Sequence, residues 1–140
     1  MSKIFWDTNL FVYLVEDRGA RADQVVALRQ WMMERKDELL TSALTLGEVL
    51  VRPVEEGDET LMRRYEHTIE AGATVLPFDE HAARRFADIR RDRSVKAPDA
   101  IQLACAAAAN VDLFVTNDDR LSRKHVRGIQ FIQSLDKAAP

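Results

Sequence analysis

The sequence predicts a three-layer α/β/α fold built around a mostly parallel sheet of about five strands, as one domain over residues 1–140. Three observations carry that prediction. Short apolar runs alternate along the chain with longer stretches of helical periodicity, which implies right-handed crossovers between parallel strands. One predicted helix, Asp99 to Ala109, is alanine-rich on nearly every face, as expected of a helix packed closely on a sheet. Acidic residues close the apolar runs, and the carboxyl ends of buried strands are where open α/β sheets place their sites.

Taken in order, Lys3 to Trp6 reads as a buried strand. Asp7, Thr8 and Asn9 then supply capping side chains for a helix through Leu10, Phe11, Val12 and Leu14. Glu16 to Ala22 is polar and holds Gly19, so a loop is expected. A helix from Asp23 puts Val25, Leu28, Trp31 and Met32 on one face. Leu39 to Thr41 is the second strand, and Thr45 to Val51 a short helix that Pro53 prevents from continuing. Glu55, Glu56, Asp58 and Glu59 read as an exposed acidic loop, with Asp58 placed to cap the next helix. That helix carries Leu61, Met62, Tyr65 and Ile69 inward and ends at Gly72. Thr74 to Leu76 is the third strand, stopped by Pro77. A helix from Glu80 to about Arg93 buries Ala82, Phe86 and Ile89. Pro98 opens the alanine-rich helix from a favoured first-turn position. Leu113 to Thr116 and Ile129 to Ile132 complete the strands.

At 140 residues with 46% apolar and 31% charged content, the composition is that of a globular protein with a real core. The formal net charge of −3 excludes whole-surface attraction to nucleic acid but leaves room for a local basic patch. A single cysteine, Cys105, permits no intrachain disulfide. No basic-then-apolar leader opens the chain, and the stretch from Ala100 to Val115 is broken by Gln102, Asn110 and Asp112, so no membrane span is expected. The expectation is a cytoplasmic protein.

The chemistry resides in four acidic residues far apart in sequence: Asp7, Glu48, Asp99 and Asp118. Singly, Asp7 and Asp99 read as helix caps and Glu48 as a solvated helix residue. Together, at the carboxyl edge of one sheet, they would repel one another unless a cation neutralised them or some were protonated. All-oxygen donors point to Mg²⁺ or Mn²⁺. Thr8, Asn9, Ser42, Thr45, Thr116 and Asn117 flank the four and can orient carboxylates or waters. Such a site suits in-line attack of water on a phosphodiester. The histidines are scattered and no His or Cys cluster suggests zinc.

The chain resembles the PIN-domain nucleases, and specifically the VapC-like toxins of type II toxin–antitoxin pairs. The matching stretches are Trp6-Asp7-Thr8-Asn9-Leu10-Phe11, Thr41 to Leu50, Ala97 to Ala104, and Phe114 to Asp118, in family order from Lys3 to about Leu135. The resemblance implies that Asp7, Glu48, Asp99 and Asp118 are the metal-binding and catalytic acidic quartet, with Thr116 as its hydrogen-bonding support. Asp118 is preferred over its neighbour Asp119, because the family places the last acid two residues after the threonine. It further implies a Mg²⁺- or Mn²⁺-dependent endoribonuclease, an RNA substrate, a cognate antitoxin as protein partner and a homodimer.

Two basic runs adjoin the acidic edge. One passes through Arg84, Arg85, Arg90, Arg91, Arg93 and Lys96; the other through Arg120, Arg123, Lys124, His125 and Arg127. Arg90, Arg91, Arg93, Lys96 and Arg120 are the expected RNA contacts. Two further readings of the aspartate after the first strand fail on residues. A haloacid-dehalogenase-like phosphatase needs a second Asp where Asn9 stands. A phosphoreceiver needs paired acids after the first strand and a late Lys. A PIN-like module that binds RNA or protein without cutting is the remaining alternative, and the intact quartet argues against it.

Overall fold

The structure, a computed structural model, describes residues 1–16 and 19–140. The elements follow in order as β1 (Lys3–Trp6), α1 (Thr8–Glu16), α2 (Gly19–Arg35), β2 (Glu38–Ser42), α3 (Ala43–Glu56), α4 (Glu59–Gly72) and β3 (Thr74–Leu76). After them come α5 (Glu80–Ile89), α6 (Ala97–Ala108), β4 (Leu113–Thr116), α7 (Asp119–Ser122), β5 (Phe131–Ser134) and α8 (Leu135–Ala138). The strands form one sheet in the order β3-β2-β1-β4-β5. Every pairing is parallel. Among the described residues, no helix is long and apolar enough to cross a membrane.

Strand alternation makes the three layers. Ile4, Trp6, Leu39 and Val115 point to one face, where α1, α2, α3, α4 and α8 cover them with Phe11, Leu28, Met32, Tyr65 and Ile69. Phe5, Leu40 and Phe114 point to the other face, beneath α5 and α6. Phe5 and Phe114 are register partners across the central strand pair and stack with ring centroids 4.9 Å apart. The alanines of α6 let that helix lie close to this face, and Ala104, Ala106 and Ala107 are fully buried.

Four sequence expectations are corrected. The loop expected over Glu16 to Ala22 is helical at both ends, since α1 reaches Glu16 and α2 starts at Gly19; Asp17 and Arg18 lie outside the described residues. Ala20, Arg21 and Ala22 are good helix formers, and Ala22 is buried on the inner face of α2. Pro53 does not stop α3. It is buried on the inner face beside Val49, at the cost of one backbone hydrogen bond, and the helix finishes a turn later. There the amides of Gly57 and Asp58 reach back to the carbonyls of Val54 and Pro53, with Gly57 at φ 65°. Thus Glu55 and Glu56 belong to α3, while Asp58 caps α4 through the Leu61 amide as expected.

The helix α5 ends at Ile89 rather than Arg93. Asp92 accepts from both the amide and the hydroxyl of Ser94, a local turn that competes with helix continuation. Finally, β5 begins at Phe131, two residues later than its apolar run suggests, because Ile129 is spent as a core plug in the preceding turn. That turn passes so close to α6 that a Cβ at Gly128 would stand 2.8 Å from the Ala107 carbonyl oxygen.

Candidate functional site

Chain order reverses at the centre of the sheet: β1 leads outward to β2 and β3, and the chain then returns to place β4 on the other side of β1. The crevice beyond the carboxyl ends of β1 and β4 is the topological switch point, where ligands bind in such sheets. Asp7 leaves β1 there, with its amide bonded to the Val115 carbonyl at 3.0 Å. Its Oδ1 accepts from the Thr8 amide at 2.9 Å, and its Oδ2 from the Thr116 hydroxyl, also at 2.9 Å. Two donors, one at the start of α1 and one at the end of β4, therefore hold one carboxylate in one rotamer.

The other three acids arrive from separate elements. Glu48 lies one turn into α3 and is exposed, yet Thr8 Oγ1 donates to its Oε1 at 2.6 Å. Asp99 is half-buried in the first turn of α6. It is not the cap that its position suggests: Lys96 occupies that place, and among the described residues the Asp99 carboxylate accepts no hydrogen bond. Asp118 caps α7, its Oδ1 accepting from the amides of Arg120 and Leu121 at 2.9 and 3.3 Å. These four line one cavity of about 200 Å³ together with Thr8, Asn9, Pro98, Gln102 and Thr116. Asp119 is exposed and faces a different cavity, so the geometry separates the two adjacent aspartates. Asn117, expected as a support, is turned away and donates to the Tyr13 hydroxyl at 2.7 Å, tying the β4–α7 connection to α1.

Gln102 is the residue that sequence reasoning missed. Its side chain is 1% exposed and connects nearly every hydroxyl beneath the cavity. The amide nitrogen donates to Thr45 Oγ1 at 2.7 Å and to Thr8 Oγ1 at 3.0 Å, while the amide oxygen accepts from the Ser42 hydroxyl. Thr41 Oγ1 lies 2.9 Å from the Trp6 carbonyl and 2.8 Å from Thr45 Oγ1. Its single proton must go to the carbonyl, which has none to give, so Thr45 donates to Thr41. Thr8 is thereby left free to donate to Glu48. The Trp6 carbonyl and the Glu48 carboxylate, which can only accept, set the directions at the two ends of this network, and the Gln102 amide bridges Thr45 and Thr8 between them. The available signal was a lone long polar side chain inside an otherwise apolar helical run. We expect Gln102→Leu to lower stability by about 2–3 kcal/mol, because Ser42 and Thr45 lose buried partners. Urea unfolding measures this, and a loss under about 0.5 kcal/mol would show that the network does not hold the fold.

Electrostatics report the same convergence. Burial raises the Asp7 carboxyl to about 6; the bonds from Thr8 and Thr116 oppose the rise, and the charges of Asp99 and Glu48 add to it. Asp99 is also raised, first by burial and then by Asp118 and Glu48, with Lys96 and Arg120 pulling it back. Each of these acids feels at least two others across the cavity.

The family model for the PIN domain matches residues 4–126. The chain belongs to the PIN-domain family, a family of nucleases. Among curated proteins, no sequence matches it significantly. Solved structures show the same fold at low identity. VapBC2 from Rickettsia felis bound to a promoter DNA fragment is 13% identical, with a TM-score of 0.71 over 94% of this chain and 98% of that one. DNA-bound VapBC from Salmonella typhimurium is 20% identical, with a TM-score of 0.67 over 96% and 99%. A toxin–antitoxin complex from Klebsiella pneumoniae is 19% identical, with a TM-score of 0.65 over 90% and 94%.

In this PIN domain the cavity donors are all hard oxygens, the chemistry that Mg²⁺ and Mn²⁺ prefer. Among the described residues, no three acidic, His or Cys side chains approach closely enough to grip one ion unaided. An ion of the Mg²⁺ type takes one or two carboxylates directly and reaches others through its own waters, so it would not need all four acids at one point. The basic runs divide. Lys96 and Arg120 stand beside the acids, joined by Arg123 and Lys124. Arg91 faces the next cavity along and pairs with Asp88 at 3.2 Å. Arg90 and Arg93 line neither cavity, so of the expected RNA contacts only Lys96 and Arg120 adjoin the acids.

Proposed function

We propose that this PIN domain is a metal-dependent endoribonuclease acting as the toxin of a toxin–antitoxin pair. The observation that carries the catalytic part is the meeting of four chain-distant carboxylates at one cavity, each reached from a different element. Asp7, Glu48, Asp99 and Asp118 would hold Mg²⁺ or Mn²⁺, directly or through water. Bound there, such an ion lowers the pKa of a water and offsets charge on the leaving oxygen of a phosphodiester.

The chain's own residues prepare the site. Thr116 and the Thr8 amide fix Asp7; Thr8, held by Gln102, fixes Glu48; the first amides of α7 fix Asp118. Three of the four carboxylates are therefore oriented before substrate arrives, which is where preorganised sites gain most of their advantage. The hydroxyls of Thr8 and Thr116 serve here to hold carboxylates in place, and the attacking group in this reading is water. Lys96 and Arg120 offset part of the acidic charge and stand where a phosphate approaches. An antitoxin partner is supported by the near-complete overlap with toxin–antitoxin structures, and a homodimer is part of the proposal on the family resemblance alone. The test of the catalytic reading is cleavage of single-stranded RNA by the purified chain in Mg²⁺ or Mn²⁺. Cutting that persists unchanged in EDTA rejects it.

A further inference from the structure

Beside the acidic cavity lies a second, larger recess of about 330 Å³. The two share Asp99 and Asp118, so they are adjoining compartments of one depression. Its walls reverse the sign of the first: Lys96, Arg120, Arg123 and Lys124 surround it, over an apolar floor of Val95 and Leu121. The floor residues are each 4% exposed and are anchored in the core, so the recess is a feature of the fold and not a gap between mobile side chains.

The four cations are not equivalent. Lys124 is engaged, with its Nζ 2.9 Å from Asp92 Oδ2 and 2.7 Å from the Ser94 hydroxyl. Arg120 leans on Asp118, Nε to Oδ1 at 3.8 Å. Among the described residues, Lys96 and Arg123 form no ion pair, although both are exposed on the rim. Two uncommitted cations beside an apolar floor match a phosphate joined to a sugar and base. The volume falls in the usual range of small-ligand recesses, about 300–1,000 Å³. On the far side of the site, by contrast, the start of α4 and the end of α3 carry Glu55, Glu56, Asp58 and Glu59.

We propose that this recess seats the nucleotide of a single-stranded RNA that adjoins the bond to be cut, with its phosphate between Lys96 and Arg123 and its sugar or base over Val95 and Leu121. The assignment rests on the nuclease reading and adds a direction to it. The strand leaves the acidic cavity toward α7 and the α5–α6 connection, not across α3 and α4. A further cavity of about 220 Å³, sharing Val95 and Lys124 and carrying Arg91 and Arg127, continues along the same line.

The experiment measures binding of a short fluorescein-labelled single-stranded RNA in EDTA, where nothing is cut, alongside steady-state cleavage in Mn²⁺. The variants are Lys96→Ala, Arg123→Ala and their double. Arg63→Ala is the charge-matched control, since that residue pairs with Glu59 on the far side at 3.6 Å. All the replaced side chains are exposed, so the fold is not at risk. The double variant should bind about tenfold more weakly with a salt slope lower by about one. The KM of Arg123→Ala should rise severalfold with kcat nearly unchanged, while the control matches wild type in both. Wild-type affinity in the double variant, or an equal loss in the control, overturns the recess assignment. If the wild type binds RNA but does not cut it in metal, the nuclease reading fails while the binding comparison still decides the recess. A wild type that binds no RNA overturns both.

Discussion

Asp99→Asn, assayed in Mn²⁺, loses RNA cleavage by at least about a hundredfold, the scale on which even outer partners of a metal site cost activity. Its far-UV circular dichroism matches wild type. The expectation is sharp because Asp99 has little else to do. Lys96 occupies the cap of α6, and the Asp99 carboxylate accepts no hydrogen bond among the described residues. Asparagine keeps its shape and loses only its charge. Asp118→Asn should lose activity as well, while Asp119→Asn should retain it, because Asp119 faces another cavity. Full activity in Asp99→Asn, or equal losses in Asp118→Asn and Asp119→Asn, would remove the acidic cavity as the catalytic centre.

The second large effect concerns stability without metal. Asp7 titrates near 6 in the fold against 3.8 as the ordinary value, so the folded state holds its proton more tightly than the unfolded chain. The stabilisation this provides is fully present below pH 3.8 and is lost as pH rises through about 6. At pH 7 the ionised carboxylate then costs up to about 3 kcal/mol, from roughly two pKa units at 1.36 kcal/mol each. In EDTA at pH 7, Asp7→Asn should therefore melt higher than wild type, and the advantage should close as pH is lowered toward 4. Asparagine can still accept from the Thr8 amide through its oxygen, and Thr116 can turn to accept from the new amide. Saturating Mn²⁺ should narrow the gap at pH 7 by stabilising wild type more, since a ligand of the folded state adds stability by mass action. Melting curves at several pH values, with and without metal, measure this. A variant that melts lower at every pH would make Asp7 a structural hydrogen-bond acceptor only.

The strands and the acidic convergence were legible in the sequence because both depend on local contrast. An apolar run ending in aspartate is visible without knowing its neighbours. The three layers followed from the alternation of elements, while the strand order that makes the switch point did not. What sequence hid were features decided by distant partners. Pro53 looked like a stop because its burial beside Val49 is tertiary. Strand β5 was misplaced because Leu113 selects Phe131 as its register partner, leaving Ile129 to plug the core. Asn117 read as a site residue until Tyr13, 104 positions earlier, claimed its amide. Gln102 was seen only as an interruption, since its worth lies in Ser42, Thr45 and Thr8 meeting it in space. The arginine run divided for a similar reason: Asp92 and Ser94 end α5 early and turn the following chain.

The strand order also sets when the site comes into being during synthesis. The first strand is central, and its second neighbour is the fourth, so the Thr116 bond to Asp7 spans 109 positions. A chain emerging from the ribosome amino end first, at about 5–20 residues per second, presents Asp7 and Glu48 seconds before Asp99 and Asp118 exist. Until then β1 has only β2 beside it, and the cavity lacks two walls. Pairings of such long separation also form slowly, because loop-closure entropy must be met first. The four acids thus cannot meet until the chain has been made past Asp118. A truncated product ending anywhere before Asp99 carries at most half the acids and lacks the walls that Asp99, Gln102, Thr116 and Asp118 supply.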